Sequence, residues 1–233
     1  GGALAAFLLL SPARGAELAE LCALGDVQAV REALEAGERP GERDERGRTP
    51  LYCTIAAGVR VPLSTHLEVA RLLLLHGAVA DAADGEGRTP LALSLEKGGT
   101  FAGLTELLLD FGADPNGPVG GGTPLHLAAE CGSARQVELL LERGANPLTK
   151  DGTGRSPLVS ALLAEGGDLE KVRLLLDAGA DVNARSPLWG EEGVTPLMVA
   201  AALAPPELVA LLLDRGALMG LRSASSLRAL GFA

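Results

Sequence analysis

Aromatic residues and lysine are scarce in this sequence of 233 residues. Aromatic side chains make up 3% of the chain, and lysine occurs only at Lys97, Lys150 and Lys171. A β-sandwich core is usually rich in β-branched and aromatic side chains, so this scarcity argues against one. Leucine and alanine instead account for 84 of the 233 residues. This composition indicates helices that pack closely through small and aliphatic side chains.

The sequence also lacks the cysteine pattern of disulfide frameworks and zinc sites. Cys22, Cys53 and Cys131 are an odd number, widely spaced and without a CxxC pair. This pattern favours a reducing compartment, so we expect a cytoplasmic protein, with a nuclear one as the alternative. Two of the three lie on predicted helices beside apolar or small residues, which predicts buried structural thiols.

Basic charge is in the minority. Thirty acidic residues against twenty basic ones give a net charge of −10. Such a surface repels phosphate, so we expect neither nucleic acid nor an anionic membrane as a partner. From Glu165 to Ala217 there are nine acids and four bases, whereas Gly122 to Ala164 has four of each. We therefore expect the C-terminal half to favour a basic partner segment.

The apolar run at the N-terminus is short. Ala3 to Leu10 spans eight residues and has no basic flank, whereas a membrane span needs about 20. We interpret residues 1–14 as a segment that caps the first helix pair, with the remnant of an expression tag as the alternative. The chain begins Gly1-Gly2 without Met, which is compatible with a piece of a longer protein.

A repeated motif organises the rest of the chain. Thr-Pro-Leu or Ser-Pro-Leu occurs at spacings of 40, 34, 33 and 39 residues, beginning at Thr49, Thr89, Thr123, Ser156 and Thr195. The hydroxyl and the proline predict the start of a first helix. A leucine-rich second helix follows in each copy, and a glycine ends it. A period of this length with a constant internal order indicates a solenoid of stacked helix pairs.

The fourth copy carries a clear family resemblance. Residues 122–132, Gly-Thr-Pro-Leu-His-Leu-Ala-Ala-Glu-Cys-Gly, and residues 137–145, Val-Glu-Leu-Leu-Leu-Glu-Arg-Gly-Ala, closely resemble an ankyrin repeat. The resemblance implies an all-α fold, an ankyrin-repeat solenoid of stacked helix-turn-helix units with short β-hairpin fingers. It covers residues 15–226, and we place six repeats at about 15–46, 47–86, 87–120, 121–153, 154–192 and 193–226. Residues 227–233 are then a C-terminal cap.

Departures from the repeat predict enlarged loops. From Gly58 to Gly77 is 19 residues, seven more than in the fourth copy, and we expect the additional residues, within Val59–Thr65, to form a loop between paired helices. The connection from Gly179 to Gly193 is also long and predicts an enlarged hairpin that carries Trp189. Loops of a solenoid can lengthen without disturbing its core, often on a surface that has a function.

No constellation for catalysis is found, so we expect no enzyme, no cofactor and no metal. His66 and His76 are expected to be exposed. The resemblance implies that His126 braces neighbouring turns by hydrogen bonds. The glycine-rich stretch 118–123 lacks the lysine of a phosphate-binding loop and predicts a tight hairpin instead.

The resemblance implies a non-catalytic protein–protein interaction module. A partner peptide or folded domain would bind in a concave groove lined by first helices and hairpin fingers, and the protein would act as a scaffold, adaptor or recruiting subunit. The alternative is a structural module that orders a larger multidomain enzyme, ligase or channel. We expect a monomer and no small-molecule substrate.

Positions that vary between repeats of this family supply the candidate contacts. They are Arg46, Arg48, Arg88, Glu96, Lys97, Glu130, Arg155, Leu163, Trp189, Glu191, Glu192 and Leu203. Arg48, Arg88 and Arg155 share one register and could hold the carboxylates of an acidic or C-terminal peptide. Alternatively, they pair with acidic residues of adjacent fingers.

Two further expectations concern single side chains. Trp189 either anchors a partner or folds back on Leu188 or the next repeat to cover apolar surface. Asn116 and Asn183 occupy positions at which, by the resemblance, such repeats can be hydroxylated by an asparaginyl hydroxylase.

Overall fold

The chain is a series of helix pairs, and each pair consists of a first helix and a second helix. The computed structural model describes residues 14–58, 61–164 and 167–224, and these form twelve helices and one two-stranded sheet. The first helices are α1 (Arg14–Leu24), α3 (Pro50–Ala56), α5 (Pro90–Glu96), α7 (Pro124–Glu130), α9 (Pro157–Leu163) and α11 (Pro196–Leu203). The second helices are α2 (Val27–Glu35), α4 (Leu63–Leu75), α6 (Ala102–Asp110), α8 (Ala134–Glu142), α10 (Leu169–Asp177) and α12 (Pro206–Asp214).

Short elements connect some of the pairs. A 3-10 helix, Gly99–Phe101, precedes α6. Strands β1 (Ser186–Leu188) and β2 (Glu191–Val194) pair antiparallel, with Leu188 opposite Glu191. The sheet is the enlarged hairpin that the long connection after Gly179 predicts. The glycine-rich stretch forms a tight hairpin, as predicted, through a bridge between Val119 and Gly122.

The repeated motif starts the first helices as predicted. Four motif hydroxyl oxygens accept the backbone N–H three residues on, at 3.2 to 3.4 Å: Thr49, Thr89, Ser156 and Thr195. Proline follows each of them at the first helical position, where its missing N–H has no intrahelical partner to lose. Each such cap stabilises its helix by about 1 kcal/mol.

Each of the six second helices ends at a glycine in a left-handed conformation. The φ angles of these six residues lie between 85° and 92°: Gly37, Gly77, Gly112, Gly144, Gly179 and Gly216. After α8, Gly144 N–H donates to Leu141 O at 3.1 Å and Ala145 N–H donates to Leu140 O at 2.9 Å. This pair of bonds satisfies carbonyls that the helix itself leaves open.

The described residues divide into two compact units. Unit 1 contains those up to Leu93 together with Asp110–Ala113, and unit 2 contains Ser94–Leu109 together with those from Asp114 onwards. In unit 1, α1 packs against α3 and α2 packs against α4. In unit 2, α9 lies between α7 and α11, and α10 lies between α8 and α12. Within each unit, therefore, first helices stack on first helices and second helices on second, as the solenoid prediction requires.

Each core consists mainly of leucine and alanine. Leu51 and Leu73 in unit 1, and Leu125 and Leu140 in unit 2, are completely buried. Burial of a leucine side chain contributes about 1.5–3 kcal/mol. The alanines of the first helices, such as Ala128, are also fully buried and let neighbouring helices approach closely.

A buried polar network joins three helices of unit 2. The Gln136 side chain, on α8, donates from Nε2 to Ser94 O at 3.0 Å and to Thr105 Oγ1 at 2.9 Å. Its Oε1 accepts the backbone N–H of Ser133 at 3.0 Å. Ser94, Thr105 and Gln136 are all completely buried. Because every polar atom of the amide has a partner, the network avoids the penalty of unsatisfied buried groups.

Two expectations about the second repeat are wrong. Leu63–Thr65 belong to α4, with Pro62 as its N-cap residue, so three of the seven residues within Val59–Thr65 lengthen a helix instead of forming a loop. His66 is 1% exposed, because α4 turns it inward and its Nδ1 lies 3.0 Å from Pro62 O. His76 is exposed, as expected.

Several expectations lie outside the described residues. These are the capping segment or tag remnant up to residue 13, the first part of the second-repeat loop at residues 59–60, and the C-terminal cap at 227–233. Residues 165–166 are also outside them.

We predict that Gln136→Ala lowers the free energy of unfolding by about 2–4 kcal/mol. The substitution leaves the Ser94 carbonyl and the Thr105 hydroxyl with fewer partners and opens a cavity. Guanidinium denaturation followed by circular dichroism measures the change. Gln28→Ala, at an exposed position where Nε2 donates only to Glu32, is the matched control. Equal effects of the two substitutions would contradict a stabilising role for the network.

Candidate functional site

The three arginines in register are each held by an aspartate of their own finger. The Nη2 to Oδ2 distances are 2.6 Å for Arg48 and Asp44, 3.1 Å for Arg88 and Asp84, and 3.0 Å for Arg155 and Asp151. Oδ1 of each aspartate also accepts the backbone N–H of its arginine at 2.9 Å. Internal pairing is therefore the alternative that the structure supports, although the partner lies in the same finger and not in an adjacent one.

Hydrogen bonds lower the pKa values of these three aspartates and outweigh the effect of burial. Burial by itself would raise the pKa of Asp151, but hydrogen bonds from Thr153 and from the backbone N–H of Arg155 lower that pKa below its usual value. The pKa values of Asp44 and Asp84 are lowered in the same way against the effect of burial. Each aspartate therefore stays ionised at neutral pH and keeps its arginine engaged.

Arg88 has two further contacts within unit 1. Its Nε lies 3.4 Å from a carboxylate oxygen of Glu86, and its Cζ lies 5.8 Å from the centroid of the Tyr52 ring. The second distance is within the range of a cation–π interaction. A partner carboxylate would have to compete with these groups for the guanidinium.

A different set of basic side chains connects successive fingers. Arg43 donates from Nη1 to Ala83 O, Lys150 donates from Nζ to Arg185 O at 2.8 Å, and Arg185 donates from Nη1 to Arg222 O at 3.4 Å. We call these three donors the finger ladder. Arg43 and Lys150 each stand one residue before a finger aspartate. That shared position is a signal from which these two donors could have been predicted, whereas Arg185 precedes Ser186 and lacks it.

His126 braces its own helix and the following finger, as the resemblance implies. Its Nδ1 accepts the backbone N–H of Thr123 at 3.2 Å, and its Nε2 donates to Arg155 O at 3.1 Å. This arrangement requires the neutral imidazole with its proton on Nε2. Burial is the main cause of the lowered pKa of His126.

Two of the three cysteines and one lysine are buried. Cys22 and Cys53 are buried, as predicted for two of the three, and burial raises the pKa of Cys22 to about 12. Cys131 is exposed. Lys171 is buried and donates from Nζ to Ala129 O and Gly132 O at 3.0 and 3.1 Å, at the C-terminal end of α7. Among the residues that the structure describes, no three His, Cys, Asp or Glu side chains group as a metal site.

A cleft in unit 1 brings Arg46 and Arg48 together. Its volume is about 480 Å³, and its walls include small side chains of α1 and α3, such as Ala23 and Ala56. Glu20 also lines the cleft, and Arg48 is already paired with Asp44. The cleft therefore has both signs of charge and no positive surplus.

The remaining candidates of unit 2 lie at the ends of first helices and on the hairpin. The ends carry Glu96, Lys97, Glu130, Leu163 and Leu203, and the hairpin carries Trp189, Glu191 and Glu192. We call these eight residues the helix-end and hairpin surface. Leu203 is 58% exposed and Trp189 is 50% exposed. Leu148 and Leu218 of the same unit are each 56% exposed, so exposure alone does not distinguish Leu203 and Trp189.

The Trp189 backbone has an unusual conformation. Trp189 and Gly190 form the two-residue turn between β1 and β2, with φ angles of 55° and 78°. Turns with two positive φ angles usually contain Asn-Gly or Asp-Gly, because a bulky side chain is strained there. The fold therefore holds tryptophan at a hairpin tip where a smaller residue would be more stable.

Asn116 and Asn183 bridge successive repeats of unit 2. Asn116 donates from Nδ2 to Gly144 O at 2.9 Å, and its Oδ1 accepts Asn146 N–H at 2.8 Å. Asn183 makes the equivalent bonds to Gly216 O and Leu218 N–H. Both amides are therefore engaged in the folded protein, and their hydroxylation stays a prediction.

Comparison with known proteins identifies related repeats along the chain. The family profile described as ankyrin repeats in three copies matches residues 18–118, 61–151 and 99–186, and the single ankyrin repeat profile matches residues 192–223. The human neurogenic locus notch homolog protein 4 is 36% identical over 192 residues, which cover 75% of this chain. The chain spans only 9% of the length of that relative.

Two solved structures are similar over most of the chain. The ankyrin repeat domain of human ASB11 has a TM-score of 0.73 and 27% identity, and the match covers 93% of this chain and 90% of that one. An ankyrin repeat domain from Acinetobacter baumannii has a TM-score of 0.75 and 27% identity, with 86% and 97% covered. These similarities confirm the predicted all-α repeat fold. None of the helices in the described part of the chain is long and apolar enough to cross a membrane.

We predict that the free energy of unfolding depends on the protonation of His126. Folding lowers the pKa of this imidazole, so its contribution is complete above about pH 6.5, the unfolded value, and is lost as the pH falls below it. His126→Gln should destabilise the protein by about 1–3 kcal/mol at pH 7.5, with a smaller difference at pH 5. Urea denaturation at several pH values measures this, with His76→Gln as the control. A difference independent of pH would refute the prediction.

We predict that the finger aspartates matter more for stability than their arginines. Asp151→Ala removes two backbone hydrogen bonds and an ion pair, and should lower the free energy of unfolding by about 1–3 kcal/mol at pH 7. Arg155→Ala removes only a partly exposed ion pair and should lower it by less than about 1 kcal/mol. Chemical denaturation compares the two variants with Asp214→Asn, an exposed control. A larger loss for Arg155→Ala would contradict this order.

Proposed function

Because the chain belongs to the ankyrin repeat family, whose repeats are generally non-catalytic protein-interaction modules, we propose that it binds a partner polypeptide through its first-helix ends and hairpin fingers. The helix-end and hairpin surface of unit 2 is the proposed contact area. Within this proposal the protein is a scaffold, adaptor or recruiting subunit of the cytoplasm.

Trp189 is the observation that carries this proposal. A bulky side chain in the left-handed region is rare, and such strain persists where the surrounding structure imposes it, commonly at functional sites. Tryptophan is also the residue type most enriched in binding hot spots. Half of the Trp189 side chain is exposed, so a partner could bury it. The exposed Leu203 offers a second apolar anchor in the same unit.

A structural role within a longer protein is the second candidate. The chain spans 9% of the human notch homolog 4 and 31% of the zebrafish ankyrin repeat and SOCS box protein 11. In both relatives the similar stretch is one part of a larger chain. The contact surface would then serve another domain of the same polypeptide.

We predict that Trp189→Asn and Leu203→Glu each reduce partner binding at least tenfold. Asparagine suits the turn better than tryptophan, so a loss of binding by Trp189→Asn cannot be attributed to a disrupted hairpin. A tenfold loss is the size expected for an interface hot spot. Affinity capture from lysate of the source cells, read by quantitative mass spectrometry, identifies proteins that wild type retains and the variants lose.

The control is Leu75→Glu, on the second helix α4, where Leu75 is 66% exposed. It should retain the same partner as wild type. Equal retention by all variants would place the interface elsewhere, and the absence of any retained protein would favour the structural role.

A further inference from the structure

The cleft of unit 1 has an apolar lining and a charged lining. The apolar lining comes from α1 and from α3 with its C-cap residue, and the charged lining comes from α1 and the finger before α3. The apolar residues are Ala19, Ala23, Cys53, Ala56 and Ala57, and the charged residues are Glu20, Asp44, Glu45, Arg46 and Arg48. The volume of about 480 Å³ can hold one or two side chains of a ligand.

One ion pair of the charged lining is already complete. Oδ2 of Asp44 accepts hydrogen bonds from Nε and Nη2 of Arg48, at 2.7 and 2.6 Å. Oδ1 of the same carboxylate accepts the backbone N–H groups of Arg46 and Arg48, both at 2.9 Å. These four bonds occupy both oxygens of Asp44 and hold the guanidinium of Arg48. A ligand in the cleft would therefore interact with the other charged side chains.

Three charged side chains of the lining stay open to a ligand. Glu20, Glu45 and Arg46 are exposed, and their side chains form no ion pair or hydrogen bond with another residue of the described ranges. Glu20 belongs to α1 and Glu45 to the turn of the finger, so the two carboxylates line the cleft from different elements. Two carboxylates against one guanidinium leave a surplus of one negative charge. This surplus favours a cation.

The apolar lining favours a cation that has a hydrocarbon stem. Arginine and lysine pack their methylene groups along apolar surface and keep the charged head in polar surroundings. The alanines of α1 and α3 offer such a surface, and their small side chains leave room for the stem. An acidic ligand would have only Arg46 as an open partner and would be repelled by two carboxylates.

We propose that the cleft of unit 1 binds an arginine or lysine residue of a partner polypeptide, with its stem on the alanines and its charged head at Glu20 and Glu45. This site is separate from the helix-end and hairpin surface of unit 2, so the inference goes beyond the proposed function and does not depend on that surface. Arg46 carries the same charge as the ligand. Its removal should therefore strengthen binding.

The test uses three end-blocked pentapeptides and the full chain. The probes are acetyl-Ala-Leu-Arg-Leu-Ala-amide, its citrulline analogue and its glutamate analogue, and citrulline has nearly the shape of arginine without the charge. Titration followed by ¹H–¹⁵N NMR reports both the place of binding and the affinity. We expect saturable shifts at the amides of Ala19, Ala23 and Cys53 with the arginine peptide. The citrulline peptide should bind about fivefold more weakly, as expected for two exposed ion pairs.

Variants of the open charges should change the affinity in opposite directions. Glu20→Gln combined with Glu45→Gln should weaken binding of the arginine peptide about fivefold, and Arg46→Gln should strengthen it about twofold. The matched control is Glu32→Gln combined with Glu35→Gln, two exposed positions of α2 that do not line the cleft. It removes the same charge from the same unit and should bind like wild type.

Several results would overturn the inference. These are the absence of saturable shifts, equal affinities of the arginine and citrulline peptides, tighter binding of the glutamate peptide, shifts confined to unit 2, and equal losses in the two double variants. Binding that appears only after removal of residues 1–13 would make that segment of the chain the occupant and would also overturn it. The capture experiment concerns variants of unit 2, so the proposed function succeeds or fails independently of these results.

Discussion

The structure depends on the burial that one helix pair provides for the next. A pair such as α7 and α8 is too short to cover its own leucines, and it becomes stable only when α9 and α10 pack against it. The free energy of folding is therefore a sum of contributions from contacts between neighbouring repeats. The polar contacts also connect neighbouring repeats. Gln136, Lys171 and Asn183 each satisfy backbone groups of an adjacent repeat. Such contacts fix the spacing of the helices on which any binding surface depends.

Local chemistry explains why much of the fold could be predicted. A hydroxyl followed by proline starts a helix and a glycine ends it because each acts on neighbouring backbone groups, so these signals can be read without knowledge of the tertiary structure. The second repeat shows the limit of this reasoning. Three residues of its insertion, Leu63–Thr65, belong to α4, and this helix holds His66 in the interior, where it is 1% exposed.

The candidate surface was harder to predict because ionic partners depend on three-dimensional distances. The shared register of Arg48, Arg88 and Arg155 is visible in the sequence. Each arginine forms an ion pair with the aspartate four residues earlier, and this pairing depends on the turn that the finger adopts. Gln136 binds Thr105 and Ser94, which lie 31 and 42 positions earlier in the sequence. A short-range sequence pattern therefore does not predict this network. The conformation of Trp189 likewise follows from the length of the hairpin and not from the preference of tryptophan.

The finger ladder has a consequence for how such a chain can change. Its donors reach main-chain carbonyls at Ala83, Arg185 and Arg222, and every residue type carries a carbonyl. The acceptor therefore places no demand on the side chain of the following repeat. A repeat with Lys or Arg at the ladder position can be duplicated or exchanged without a compensating substitution in its neighbour, and the exposed surface positions are free to diversify while the connection between fingers is preserved.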